Sequence, residues 1–144
     1  MEGVSLMIVA GVDAGINTGV SIFNVVEGKK PELFNYEVVE SGAVLYEKLR
    51  CCDLIVYENY ILYPWKAKQQ YYKEFPASEI IGVLKLLSEK EKIKLVKQSA
   101  KEGKFYWTDS KLTKAGYYIT NRHIRDSIRH VLHYLKFKYK KCDL

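Results

Sequence analysis

Residues 6 to 12, Leu-Met-Ile-Val-Ala-Gly-Val, make an apolar run of strand length. A run this short and continuous predicts a strand buried on both faces. Asp13 to Gly19 interrupts it with a glycine-containing turn. Val20 to Val26 alternates as a second strand, Glu27-Gly28-Lys29-Lys30-Pro31 reads as a turn, and Leu33 to Glu40 is a third strand. Two short connections predict an antiparallel meander. Ser41 suits the N-cap of a helix that runs to about Cys52. Asp53 to Tyr60 is the fourth strand; a helical crossover precedes it, so it should lie parallel to its neighbour.

Ile61 to Pro76 is a loop rich in rings and positive charge. Ile80, Ile81, Leu84 and Leu87 then recur at helical spacing within Ala77 to about Lys92. Ile93 to Gln98 is a fifth strand, and residues 99 to 119 read as loops with a short helix. A last helix covers about Thr120 to Lys140. No repeat, linker or low-complexity tract divides the chain. The expectation is one α/β domain over residues 1–144: a mixed five-stranded sheet, three antiparallel strands then two parallel ones, flanked by helices.

Composition narrows the classes. A chain of 144 residues can bury one core of ordinary size. No stretch reaches the roughly 18 apolar residues of a membrane span, and Met1-Glu2-Gly3 lacks the basic start of a signal peptide. The expected location is intracellular: the cytoplasm, or the host cytoplasm if the chain is viral. Cys51, Cys52 and Cys142 are odd in number and have no Cys-x-x-Cys spacing, which argues for reduced thiols rather than disulfides or zinc. The net charge is +6, with Lys and Arg dense from Lys111 to Lys141. Such a basic segment suits a polyanion partner, nucleic acid above all.

The candidate chemistry lies in the acids. Asp13 ends an apolar strand, and Glu58 stands near the end of another. Desolvating a carboxylate is costly, so each needs a partner. Taken singly, a turn aspartate and a salt-bridged glutamate would account for them. The last helix adds to the pattern. At 100° per residue, His123, Asp126, His130 and His133 fall within about 80° of one another. Ile124, Ile128, Val131, Leu132 and Leu135 form a separate apolar stripe that must face the sheet. The first turn of the His/Asp stripe can therefore reach a site at the sheet edge, while His130 and His133, farther along, read as ordinary surface residues, with contacts behind the ligands or to DNA as the alternative. Arg122, Arg125 and Arg129 are placed to meet phosphates. Neighbouring strands lie about 4.8 Å apart. Carboxylates at their ends can thus gather the divalent cations, roughly 3.5–4 Å apart, that two-metal phosphodiester hydrolysis uses.

Three segments carry a specific resemblance. Gly11-Val12-Asp13-Ala14-Gly15-Ile16-Asn17-Thr18-Gly19-Val20, Ile55-Val56-Tyr57-Glu58 and His123-Ile124-Arg125-Asp126-Ser127 resemble, in order and spacing, the acidic motifs of the RuvC-type Holliday junction resolvases. Lys97-Gln98-Ser99-Ala100-Lys101 resembles the segment before the last motif. The resemblance spans nearly the whole chain, whose compact length is similar to that of the phage and viral branch. It implies a ribonuclease-H-like fold and a homodimer that nicks branched DNA with two Mg²⁺ or Mn²⁺ ions and no nucleotide cofactor. It also implies Asp13, Glu58, His123 and Asp126 as metal ligands, and Lys101 as a catalytic lysine beside the phosphate.

His123 stands where some members have aspartate, and a nitrogen ligand suits Mn²⁺ better than Mg²⁺. Tyr60, Tyr63 and Trp65, with Lys66 and Lys68, would contact DNA, since rings stack on unpaired bases. A dimer interface would use the same loop composition. Alternatives are a fork or flap nuclease, a ribonuclease acting on RNA–DNA hybrids, or a non-catalytic binder of branched DNA. An actin-like ATPase would need a second lobe for which 144 residues leave no room.

Overall fold

Strand alternation decides which side chains meet the last helix, and the order of strands decides where they meet it. A computed structural model describes residues 6–14, 17–58 and 77–144. Tyr60, Tyr63, Trp65, Lys66 and Lys68, expected on DNA, lie outside the described residues, as do Gly15 and Ile16. The strands are β1 (Leu6–Ala14), β2 (Thr18–Val26), β3 (Glu32–Val39), β4 (Leu54–Glu58) and β5 (Lys94–Gln98). They form one sheet in the order β3-β2-β1-β4-β5. The first three are antiparallel, while β4 pairs parallel with both β1 and β5. This is the mixed sheet expected from the sequence.

Among the described residues the helices are α1 (Gly42–Leu49), α2 (Ala77–Glu91), α3 (Asp109–Ala115) and α4 (Arg122–Tyr134). Ser41 caps α1 by accepting a hydrogen bond from the Val44 amide. β1 runs two residues past its expected end, because the hairpin ladder continues through Asp13 opposite Gly19 and Ala14 opposite Thr18. Asp13 is therefore a strand residue with a fixed direction, not a turn residue. The last helix is α-helical only to Tyr134. Leu135–Tyr139 widens into a π-helical turn that ends at Lys140 with φ 63°.

Two cores cover the two faces. Ala10, Val12, Ile55 and Tyr57 point to α1 and α2, where Leu45, Leu49, Ile80 and Leu84 pack. Val9, Leu54 and Val56 point the other way, to Ile124, Ile128, Val131 and Leu132 of α4. Period-two alternation then sends Gly11 and Asp13 of β1, and Glu58 of β4, to the α4 face.

α4 lies unusually close to the β1–β2 hairpin. A Cβ on Gly19 would stand 2.2 Å from the His123 carbonyl, and one on Gly11 would stand 2.3 Å from the Ser127 carbonyl oxygen. Ser127 and Ser21 complete the seam with a buried Oγ–Oγ hydrogen bond of 2.9 Å. Gly19→Ala is expected to cost about 1–3 kcal/mol, as overpacked cores do. Gly82→Ala, on the exposed side of α2 with nothing within 4 Å, is expected to gain about 0.5–1 kcal/mol. Urea melts of both variants check this; a Gly19→Ala midpoint equal to wild type would refute the close approach.

Candidate active site

The C-terminal ends of three adjacent parallel strands set one row of polar side chains on the α4 face. Val12 pairs with Tyr57, so the next step along β1 and β4 brings Asp13 beside Glu58. Glu58 pairs in turn with Gln98 of β5. Asp13 and Gln98 are buried, and Glu58 retains only 18% exposure of its side chain.

α4 closes the row from above. Asn121 caps the helix, its Oδ1 accepting from the amides of His123 at 2.9 Å and Ile124 at 3.1 Å. That fixes the first turn over β1, with His123 Nδ1 3.5 Å from Asp13 Oδ2. Asp126, one turn on, is buried at the same place. Asp13, Glu58, His123 and Asp126 thus come from three elements to one end of the sheet.

Two arginines expected at phosphates face inward instead. Arg129 is 9% exposed. Its Nε donates to the Trp107 carbonyl at 2.6 Å, its Nη1 donates to Asp126 Oδ1 at 2.8 Å, and its Nη2 pairs with Asp109. Arg125 Nη1 donates to the carbonyls of Ile119 and Thr120 at 3.2 and 3.1 Å, and its Nε lies 3.1 Å from Asp109. Both therefore tie α4 to α3 and to the preceding loop. A buried guanidinium needs such partners, and these contacts turn both side chains toward the protein. Arg122 is exposed.

The lysine nearest the acids also differs from expectation. Lys104 Nζ lies 4.0 Å from Asp126 Oδ2. Lys101 lines an open cavity of about 330 Å³ with Glu102, Phe105, His133 and Phe137. Nothing in the sequence separates these two lysines, because both lie in an irregular loop. His130 is the second difference. It reads as a surface histidine, yet it is wholly buried, with Nδ1 2.7 Å from Gln98 Oε1 and Nε2 3.9 Å from Glu58 Oε2. The signal was its place on the stripe with His123 and Asp126.

The charges at this site are out of balance. Burial pushes the Asp13 carboxyl up to about 9, and the hydrogen bond and negative charge of Glu58, then Asp126, push the same way. Glu58 is held down at about 2, first by His130 and, with burial opposing, by Asp13 and Lys104. Asp13 therefore keeps its proton at neutral pH and donates it toward an ionised Glu58.

Crowded hard-oxygen donors short of positive charge match the chemistry of a divalent-cation site. Asp13, Glu58 and Asp126 supply such donors, and His123 adds a nitrogen. Among the described residues, no three His, Cys, Asp or Glu side chains already close on a common metal position. The fit is one of donor chemistry and placement, with side-chain rotation needed to converge.

No protein-family model and no curated protein matches the chain. Solved structures do. Thermus thermophilus RuvC is 18% identical with a TM-score of 0.65, covering 90% of this chain and 96% of its own. The same protein in complex with a Holliday junction substrate gives a TM-score of 0.66 at 17% identity, over 92% and 97%. The fowlpox virus Holliday junction resolvase gives 0.54 at 19% identity, over 90% and 99%. From the β1–β2–β3 meander to α4, this chain has the ribonuclease-H-like fold of the RuvC-type resolvases.

Proposed function

We propose that the chain is a structure-selective endodeoxyribonuclease that nicks four-way DNA junctions, working as a homodimer with two Mg²⁺ or Mn²⁺ ions per site. One observation carries this reading: a buried cluster of Asp13, Glu58 and Asp126, short of positive charge, at the strand ends of a fold shared with junction resolvases. A fowlpox resolvase bound to Holliday junction DNA supports the choice of substrate.

Asp13 and Glu58 would hold the ions together, with His123 and Asp126 from the helix side. Bound ions would activate water and stabilise the leaving oxygen during hydrolysis. The chain's own groups do the rest. Asp13 must give up its proton to become a ligand. Arg129 holds Asp126 Oδ1 and so leaves Oδ2 turned toward Lys104. Lys104, its side chain 40% exposed, offers an ammonium to an incoming phosphate. Phe105, 80% exposed beside it, offers a ring to an unpaired base. In a two-fold dimer, an isologous interface would present this site twice, once for each strand cut.

The deciding experiment is cleavage of a labelled four-way junction beside a linear duplex, a fork and an RNA–DNA hybrid. Paired symmetric nicks in the junction are expected, faster in Mn²⁺ than in Mg²⁺ because His123 brings nitrogen, and reduced to background by Asp13→Asn. Preferential cutting of the hybrid or fork would reassign the substrate. Binding without cutting in either ion would leave a DNA-binding protein. In the same assay Lys104→Ala is expected to slow cutting more than Lys101→Ala; the reverse order would restore Lys101 to the site.

The raised Asp13 carboxyl also has a stability consequence. The folded state holds a proton that the unfolded chain releases near pH 4. Its contribution to stability is complete at low pH and is lost as pH rises toward about 9. Asp13→Asn removes this titration. The metal-free variant should therefore melt higher than metal-free wild type, by a margin that grows from pH 5 to pH 9. A margin independent of pH would mean that Asp13 is ionised in the folded protein.

A further inference from the structure

Beyond the three acids and His123, one buried polar group is left without an evident purpose: the imidazole of His130. It sits in the middle of α4, wholly inaccessible, among Ile128, Val131 and Leu132 of the core. A buried imidazole is expensive unless both ring nitrogens are satisfied. Nδ1 lies 2.7 Å from the side-chain amide oxygen of Gln98, Oε1, whose place the amide NH₂ takes when the group turns over. Nε2 has no hydrogen-bond partner among the described residues. It faces Glu58 Oε2 at 3.9 Å, about an ångström beyond hydrogen-bond length.

The identity of the anchor is informative. An amide can turn either its oxygen or its NH₂ to the ring, so Gln98 can hold the imidazole in whichever tautomer Nε2 requires. With the NH₂ turned to Nδ1, Nε2 carries the hydrogen and donates toward Glu58. An amide also adds no charge, whereas a carboxylate at position 98 would add a fourth carboxyl group beside Asp13, Glu58 and Asp126. Register places Gln98 directly beside Glu58 on the neighbouring strand, so ring and carboxylate are set by adjacent strand ends.

Glu58 is the acid that most needs such help. Its side chain is longer than that of Asp13, has more rotamers to lose and is partly open to solvent. We propose that His130, anchored by Gln98, is a positioning residue: its Nε2–H turns the Glu58 carboxylate toward Asp13 and holds it there. This rests on the reading of Asp13 and Glu58 as cation ligands. Buried groups that orient ligands in this way typically alter affinity or activity about 10- to 100-fold when removed.

The test compares His130→Leu, His130→Gln and Gln98→Leu with wild type. Mn²⁺ binding by the full, DNA-free chain is measured by calorimetry at one pH, beside junction cleavage and thermal melts. His130→Leu is expected to weaken Mn²⁺ binding and slow cleavage by about 10- to 100-fold. His130→Gln, which can still present an N–H to Glu58, should stay close to wild type. Gln98→Leu should fall between, so a failure of His130→Leu to fold leaves the inference open to refutation. Glutamine falling as far as leucine, both chains being folded, would make the role one of packing and overturn the inference. So would Mn²⁺ binding unchanged in every variant, or absent from wild type. A wild type that binds Mn²⁺ but cuts no junction would fail the nuclease reading, while the order of Mn²⁺ affinities would still decide the role of His130.

Discussion

The structure depends on the contact of one helix with bare backbone. Where Gly11 and Gly19 lack a Cβ, the carbonyls of Ser127 and His123 take its place. Any other residue would lift α4 off the hairpin by the width of a methyl group. The same contact sets register as well as distance. Ser127 Oγ donates to the Ile124 carbonyl at 2.6 Å while bonding Ser21, so the helix is keyed to β2 at that point. His123 and Asp126 reach Asp13 only because of this approach. Gly11 and Gly19 thus act on the helix, which gives their presence in two adjacent strands a physical reason.

A second constraint opposes the first. Bringing α4 down drives Asp126 toward Asp13 and Glu58, and three carboxylates in a shared low-dielectric space repel. The fold answers in two ways. Arg129 and Lys104 lie against Asp126, and Asp13 retains its proton against Glu58. Neither answer is complete, since the raised carboxyl is itself the sign of unrelieved desolvation. Sites that must accept cations have this character: what attracts the ion also loosens the fold that lacks it.

Much of this was legible before any coordinates, for identifiable reasons. Apolar runs of strand length and helical spacing in Ile80 to Leu87 fix the element order, because periodicity reports which faces are buried. The stripe of His123, Asp126 and His130 could be drawn from helix geometry alone. Position along the helix axis could not. Arg129 and Arg125 read as phosphate contacts because guanidinium groups usually face solvent. Their burial follows from α3, whose Asp109 and preceding Trp107 carbonyl receive them. Nothing local in residues 99 to 119 announces that docking. His130 was misplaced for a related reason: a wheel drawn at 100° per residue gives angle but not depth, and the Gln98 that makes burial tolerable is 32 residues away.

Under the proposed function, the commitment of Arg129 also changes where DNA would be held. The Arg129 guanidinium is buried and its charge is already paired with Asp126 and Asp109, so it is poorly placed to neutralise a phosphate. The inner face of α4 therefore organises the acids, and the basic excess of the chain must act from groups that remain exposed. Arg122, exposed at the first residue of α4, and Lys104, 4.0 Å from Asp126, are two such groups. Long-range attraction comes from the outer charges, whereas alignment at the acids comes from buried ones. Salt should accordingly weaken capture of a polyanion far more than it disturbs the geometry of Asp13, Glu58 and Asp126, because screening reaches exposed charges and hardly enters the core.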